Sequence, residues 1–459
     1  MSFTLLSSAR LRTLLPVLTP LVFAIAPSSV TALSLQEAQQ LAIQYDPWQQ
    51  TSSLQEQALR ADSSVAATMS DPVLSVGLAN LPTDGFQFNQ EGMTQLKVGL
   101  SQQFARGDSR EIKRRQLLNL AAKHPLLRAD RQEKLKVMVG KLWLDAFTAQ
   151  QRMDIVAASR PLFVQLSDIV EASYGSAQGR TRQQDVIQAQ VELARLDDRL
   201  SALETERDSK LASLAEWLYQ NDNYTQGNAL ELSDSWPQID LPDANVLHSL
   251  QQRNKTQLAQ LLARHPAMLA VQQQINSQLD GVELAKQKYQ AQWGVNVSYA
   301  YRDNDVNGTS RADFFSVGLS VDLPFFTSQR QDKEVESASL QAEAAKTEQL
   351  LLLRNLLAQA LNNWQAAEQT QQRIQQFEQV ILPQLSEQAD ATLNAYTTDN
   401  GDFGDVMRSR ITQLNTELDL IKLQNELAQY QLQLLYYFKP THFSIKQGYS
   451  APVNQTGDK

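Results

Sequence analysis

Any chemistry in this sequence must come from carboxylates and guanidinium groups, because the usual reactive side chains are missing or scattered. The chain has no Cys, and its four His (His124, His248, His265 and His442) stand far apart. That excludes thiolate chemistry and leaves no zinc-type ligand spacing. There is no phosphate-cradling Gly loop, no G-x-S-x-G elbow and no H-E-x-x-H pair. The sequence therefore predicts no enzyme, no catalytic residue, no metal site and no cofactor. Charged residues in two turns remain. Asp399, Asp402 and Asp405 crowd the second turn, and Arg180 and Arg182 lie in the first. Crowded carboxylates attract cations. Asp is also an ordinary turn and N-cap residue, and Asp405 suits a cap, with Asp185 capping the matching helix. Both readings stand. Gly179 and Gly401 are candidates for left-handed turn positions or simple helix stops.

These turns need long elements to carry them. Residues 111–173 and 330–395 read as helix almost throughout, and at ~1.5 Å per residue each reaches about 95 Å, far more than a globular core needs. The return helices carry heptads. Val186, Ala189, Leu193, Leu196, Leu200 and Leu203 step by three and four, as do Met407, Ile411, Leu414, Leu418, Ile421, Asn425, Ala428, Leu432 and Leu435. That spacing predicts knobs-into-holes packing. The first register breaks at Arg207 and resumes at Leu211, a stutter. Pro161 and Pro383 lie at matching places and are expected to bend both long helices alike, whereas Pro125 has no counterpart. Trp143 and Trp364 match too and read as packing residues.

The matching is general. A shift of 219 residues lays Asp46-Pro47 on His265-Pro266 and Val98-Gly99-Leu100-Ser101 on Val317-Gly318-Leu319-Ser320. Slightly larger shifts lay Trp143 on Trp364, Tyr174 on Tyr396 and Gly179 on Gly401. The chain is thus a tandem repeat. Each copy opens with a helix (about 48–70 and 267–291) followed by two strands (73–81 and 94–104; 292–301 and 313–323). Leu74, Val76 and Leu78 share one face against Ser75, Gly77 and Ala79. Leu96, Val98, Leu100 and Phe104 oppose Lys97, Gly99 and Ser101. Val295, Val297, Tyr299 and Tyr301, then Phe315, Val317, Leu319, Val321 and Leu323, repeat the pattern. Period-two alternation over ~9–11 residues suits a tilted bilayer crossing, with Tyr299 and Tyr301 at a lipid–water boundary. Four strands cannot close a membrane barrel, and open edges in lipid are costly, so several chains would have to share one.

Arg10 and Arg12 precede an apolar run from Leu14 to Ala26, followed by Val30-Thr31-Ala32, as in a secretory signal. The expected organisation is a signal peptide at 1–32, a first repeat at 33–220, a linker at 221–255, a second repeat at 256–438 and a polar tail at 439–459. The formal charge of −9 argues against nucleic acid as a partner. The fold class expected is mainly α, with long coiled-coil helices and four antiparallel strands.

This ground plan resembles the TolC-like outer-membrane factors over essentially the whole mature chain. The residues carrying it are Leu41-Ala42 through Asp46-Pro47, Leu262 through Pro266, Asp71-Pro72-Val73-Leu74, Tyr174 to Val186, Tyr396 to Val406, and Leu323-Pro324-Phe325. The stretch from Asp71 through Asn80-Leu81-Pro82 to Arg106-Gly107 and Arg110 looks closest to the heavy-metal efflux branch. The resemblance implies a homotrimer in the bacterial outer membrane, sharing a twelve-stranded barrel whose helices form a tunnel across the periplasm. It implies a passive exit duct for a periplasmic adaptor and an inner-membrane pump, and the heavy-metal branch implies metal cations as cargo. It places the family's constricting acidic residue at Asp405. Threefold symmetry would turn Asp399, Asp402 and Asp405 each into a ring of three carboxylates at the periplasmic aperture, and Arg180 and Arg182 are candidates to pair with acids across subunits as aperture latches. Gly179, Gly401, Tyr174 and Tyr396 would belong to adaptor-contact turns. Family members often carry an acylated N-terminal Cys; this chain has no Cys, so anchoring would fall to the barrel. The reading from another class is an exported, soluble coiled-coil scaffold or adaptor of the periplasm.

Overall fold

The computed structural model describes residues 32–175, 181–219, 230–398 and 400–438. The expected signal (save residue 32), the C-terminal tail, and Gly179, Arg180 and Asp399 lie outside these residues.

Each copy opens with two capped helices. α1 (Leu35–Tyr45) starts with a capping box, in which the Ser34 hydroxyl accepts from the Glu37 N–H and the Glu37 carboxylate accepts from the Ser34 N–H at 2.9 Å. α2 (Pro47–Ala67) follows at once, with the Asp46 carboxylate accepting from the Trp48 N–H and Pro at the first position, where a missing N–H costs nothing. The hairpin β1 (Val73–Ala79) and β2 (Gln95–Gln103) comes next. Then α3 (Ser109–Tyr174) runs 66 residues without a break, about 100 Å at ~1.5 Å per residue. α4 (Gln183–Leu218) returns along it.

The expected linker contains α5 (Ala244–Gln251) and leads into α6 (Lys255–Leu262), capped by Asn254 as Ser34 caps α1. α7 (Pro266–Lys286) again has Pro at its first position, and its cap is His265, whose Nδ1 accepts from the Ala267 N–H at 3.2 Å. β3 (Gln292–Tyr301) and β4 (Phe314–Asp322) form the second hairpin. α8 (Gln331–Gln376), α9 (Leu382–Thr397) and α10 (Phe403–Phe438) complete the chain.

The two long outgoing helices do not respond to proline alike. Pro161 sits inside the unbroken α3. Ahead of Pro383, residues Phe377–Ile381 open into one wide π-type turn between α8 and α9. Proline lacks an N–H and its ring presses on the carbonyl four residues back, so a widened turn is one way to relieve the contact. Prolines at matching places thus stand in different local structure.

The four strands make one antiparallel sheet in the order β1-β2-β3-β4. The register aligns the alternation across both hairpins. Leu74 pairs with Leu100, Leu100 with Val297 and Val297 with Val317; Val76, Val98, Tyr299 and Phe315 form the next row. These side chains are exposed or nearly so, Val76, Phe315 and Val317 by 66%, 70% and 67%. The opposite face carries Ser, Gly and Asn. The connecting loops are tied together at the far end, where Arg302 donates to the Gly92 carbonyl at 2.7 Å and Arg311 to that of Glu91 at 3.0 Å.

Three apolar clusters hold the helices. One lies toward the turns between α3, α4 and α10, where Ala189, Leu196 and Leu203 are buried and Val186, Leu193 and Leu200 pack against them, as the heptads predict. A second joins α1, α3, α4 and α10 around Trp143, which stacks on Phe147 and donates to the Leu33 carbonyl at 3.0 Å. The third joins α5 to α8 and α10, with Trp364 packed against it. Asn425, at a heptad position, donates to Asp145, which also takes Gln429 and Lys210, so a polar knot crosses α3, α4 and α10.

Candidate functional site

The second turn is built by a short, crowded chain reversal. α9 ends at Thr397, and the Asn400 N–H returns to the Ala395 carbonyl at 2.9 Å. Gly401 then passes so close to the helix end that a Cβ there would lie 2.8 Å from the Tyr396 backbone nitrogen. Gly401 is required for this approach and not for a left-handed backbone, since its φ lies outside that region. Phe403 is buried and meets the Tyr396 ring edge-on at 5.7 Å, which fixes where α10 begins.

That start decides the roles of the acids. Asp402, not Asp405, is the N-cap: its carboxylate accepts from the Gly404 N–H at 2.8 Å, and its carbonyl accepts from Asp405 and Val406. Asp405 stands one turn inside and is exposed. It pairs with Arg408 at 2.7 Å, and its side chain remains 58% accessible. The expectation that Asp405 caps its helix is corrected accordingly. In the first turn Asp185 is likewise not the cap. It lies at the third residue of α4, buried, and its carboxylate accepts from the Arg182 N–H at 2.9 Å. The Arg182 side chain is exposed and forms no ion pair among the described residues. Tyr174, at the end of α3, is 53% exposed, whereas Tyr396 is half-buried against Phe403.

The structure brings Asp402, Asp405, Gly401 and Tyr396 into one turn, and Tyr174 with Arg182 into the vicinity of the other. It also shows pairs that sequence reasoning missed. Arg410, nearly buried, joins α10 to α9 through Asp390 at 2.7 Å. Arg160 binds Asp197 between α3 and α4, and this hydrogen bond holds the Asp197 carboxyl below its usual range. Arg199 on α4 donates to the Asn415 side-chain amide oxygen (Oδ1) on α10 at 2.7 Å and so links the two repeats. Charged residues on the flanks of a heptad were the available signal, but the partner on a different helix was not.

The other end of the molecule is the sheet. Its edges, β1 and β4, pair with no other strand among the described residues. Among these residues no helix is long and apolar enough to cross a membrane, and no group of His, Asp or Glu is placed to hold a metal ion.

No family model and no curated relative matches the sequence. Solved structures do match. The outer-membrane channel OprN superposes with a TM-score of 0.72 at 15% identity, over 88% of this chain and 89% of that one. CusC, described in terms of transmembrane channel formation, gives 0.69 at 12%, over 88% and 91%. The outer membrane protein VceC of Vibrio cholerae gives 0.67 at 15%, over 88% and 95%. The chain has the fold of the outer-membrane channels. Identities this low make the likeness one of fold, extending over nearly the whole of each channel chain.

Proposed function

We propose that this chain is one protomer of a trimeric duct of the TolC-like kind, seated in a bacterial outer membrane. It would serve as the passive exit of a tripartite efflux assembly. The observation that carries this reading is the sheet: one face apolar and exposed, the other small and polar, and both edges unpaired among the described residues. An exposed apolar face of this size is costly in water, and lipid covers it at no such cost. Open edges are satisfied when β4 of one protomer pairs with β1 of the next. Repeats 33–220 and 256–438 then each supply one hairpin to the barrel and one helical pair to the tunnel, with 221–255 between them. The polar face lines the lumen.

Periplasmic adaptor and inner-membrane pump are the partners in this reading, and the turns at 174–182 and 396–405 are the adaptor-facing tips. Asp405 and Asp402 of three protomers would ring the aperture, with Arg182 a latch toward a neighbour. Such a ring attracts cations, metal ions among them. The Arg408 beside each Asp405 moderates that field.

The soluble-scaffold reading lacks a partner for the apolar face. Purified protein should require detergent, and in planar bilayers it should give discrete conductance steps. Recovery from the periplasm as a soluble species without detergent would defeat the proposal.

A further inference from the structure

The polar face of the sheet is nearly free of charge, and its one unpaired charge is placed with care. β1 and β3 contain no charged residue, β2 contains Lys97 and β4 contains Asp322. Asp322, at the helix end of the sheet, is ion-paired with Arg106. Lys97 has no such partner among the described residues. Its cross-strand neighbours are Gly77 on β1 and Ala300 on β3, neither with a side chain that could hold it. Lys97 is exposed and makes no ion pair among the described residues. Toward the loops, the side chains of Arg302 and Asp313 are each held by other groups. Arg302 lies over the Phe314 ring and donates to the Gly92 carbonyl, while Asp313 accepts from the Arg302 N–H and the Tyr299 hydroxyl.

An unpaired ammonium on a membrane strand is tolerable where it faces water, and small neighbours leave it free to extend. We propose that Lys97 is a charge filter of the exit barrel, repelling free cations and favouring neutral, zwitterionic or anionic solutes. This rests on the duct reading above, in which the polar face lines the lumen and three copies of Lys97 form a ring. The acidic tips have the opposite sign, so the duct opposes bare multivalent cations at one end and anions at the other. The cargo class that suits both is organic solutes of low or balanced charge. Salt screens such a ring over about 8 Å at physiological ionic strength, so its effect grows in dilute salt.

The absence of any Cys makes the test clean. Wild type, Lys97→Glu and Lys97→Cys are reconstituted in planar bilayers, and the cation-to-anion permeability ratio is read from reversal potentials in a KCl gradient at low salt. Lys97→Glu should raise the ratio by about threefold. On Lys97→Cys, a thiol reagent carrying a sulfonate should raise the ratio, and one carrying an ammonium should restore the wild-type value. A ratio insensitive to the charge at position 97 in conducting channels overturns the filter and leaves the duct standing. No conductance from the wild type itself would instead defeat the duct. Failure of Lys97→Cys to react with either water-soluble reagent in conducting channels would place Lys97 outside the lumen and overturn the filter as well.

Discussion

Asp185 and Asp405 each stand third in matching helices, yet Asp185 reaches back to the Arg182 N–H at 2.9 Å while Asp405 reaches forward to the Arg408 guanidinium at 2.7 Å. The difference arises one turn earlier. In the second copy Asp402 already serves the exposed N–H groups of the helix start, so the acid at the third position is released to solvent. In the first copy no such residue precedes the helix, and Asp185 is consumed by the backbone.

Substituting the two acids should therefore separate structure from conduction. Asp185→Ala removes the carboxylate that accepts from the Arg182 N–H and should cost about 1 kcal/mol, seen as a lowered Tm with conductance of the surviving channels unchanged. Asp405→Ala leaves the cap intact and should raise conductance and reduce cation preference at the tips. Unchanged conductance and selectivity in Asp405→Ala would reject the aperture role.

Gly401→Ala places a methyl group 2.8 Å from the Tyr396 backbone nitrogen, where backbone and not a mobile side chain must yield. The cost should be about 1–3 kcal/mol, confined to the turn. Limited proteolysis near residues 396–402 should accelerate, while the rest of the chain stays protected.

His265 carries a pH dependence with a defined sign. Burial pushes its imidazole below the ordinary His value, against a partial offset from Asp130, and Tyr436, Glu133 and Lys134 also face it. The neutral ring accepts from the Ala267 N–H through Nδ1 and donates through Nε2 to the Tyr436 carbonyl. The unfolded chain binds the proton more readily, so this contribution is complete above the ordinary His range and is lost as pH falls through the depressed folded value. Thermal melting should show Tm falling on acidification. His265→Asn, which keeps a capping acceptor, should flatten that slope; an unaltered slope would assign the effect to other groups.

Val317→Arg and Ser316→Arg distinguish the faces of one strand. Val317 lies on the apolar face, where an arginine at mid-bilayer costs about 2–4 kcal/mol, and assembly in the membrane should drop sharply. Ser316→Arg, one residue away on the polar face, should assemble normally. Membrane-fraction yield and heat-modifiable mobility on gels report both.

Much of this was legible from residue order. Parity alone placed Leu74, Leu100, Val297 and Val317 on one face, because a strand has only two faces and both hairpins keep the same alternation. Heptads exposed the α4 seam for the same reason: Ala189, Leu196 and Leu203 repeat at the packing period. The acid roles were harder. Asp402 and Asp405 are both good caps, and only the burial of Phe403 decides which one lies at the helix start. The wide turn before Pro383 was also hidden, since Pro161, in the matching place, is accommodated within an unbroken helix. Arg410–Asp390 and Arg199–Asn415 depend on how helices face one another, which a single sequence does not specify.

The proposed duct requires β1 of one protomer to pair with β4 of the next in a closed barrel of three chains. Within one chain these strands are separated by two others, about 14 Å at ~4.8 Å per strand, too far for a disulfide. Gly77→Cys can be combined in turn with Ser316→Cys, Gly318→Cys or Ser320→Cys in this otherwise Cys-free chain and oxidised in the membrane. One of these pairs should yield a reductant-sensitive species of three covalently linked chains. Absence of intermolecular cross-links in every pair, together with a monomeric mass in detergent, would contradict the shared barrel.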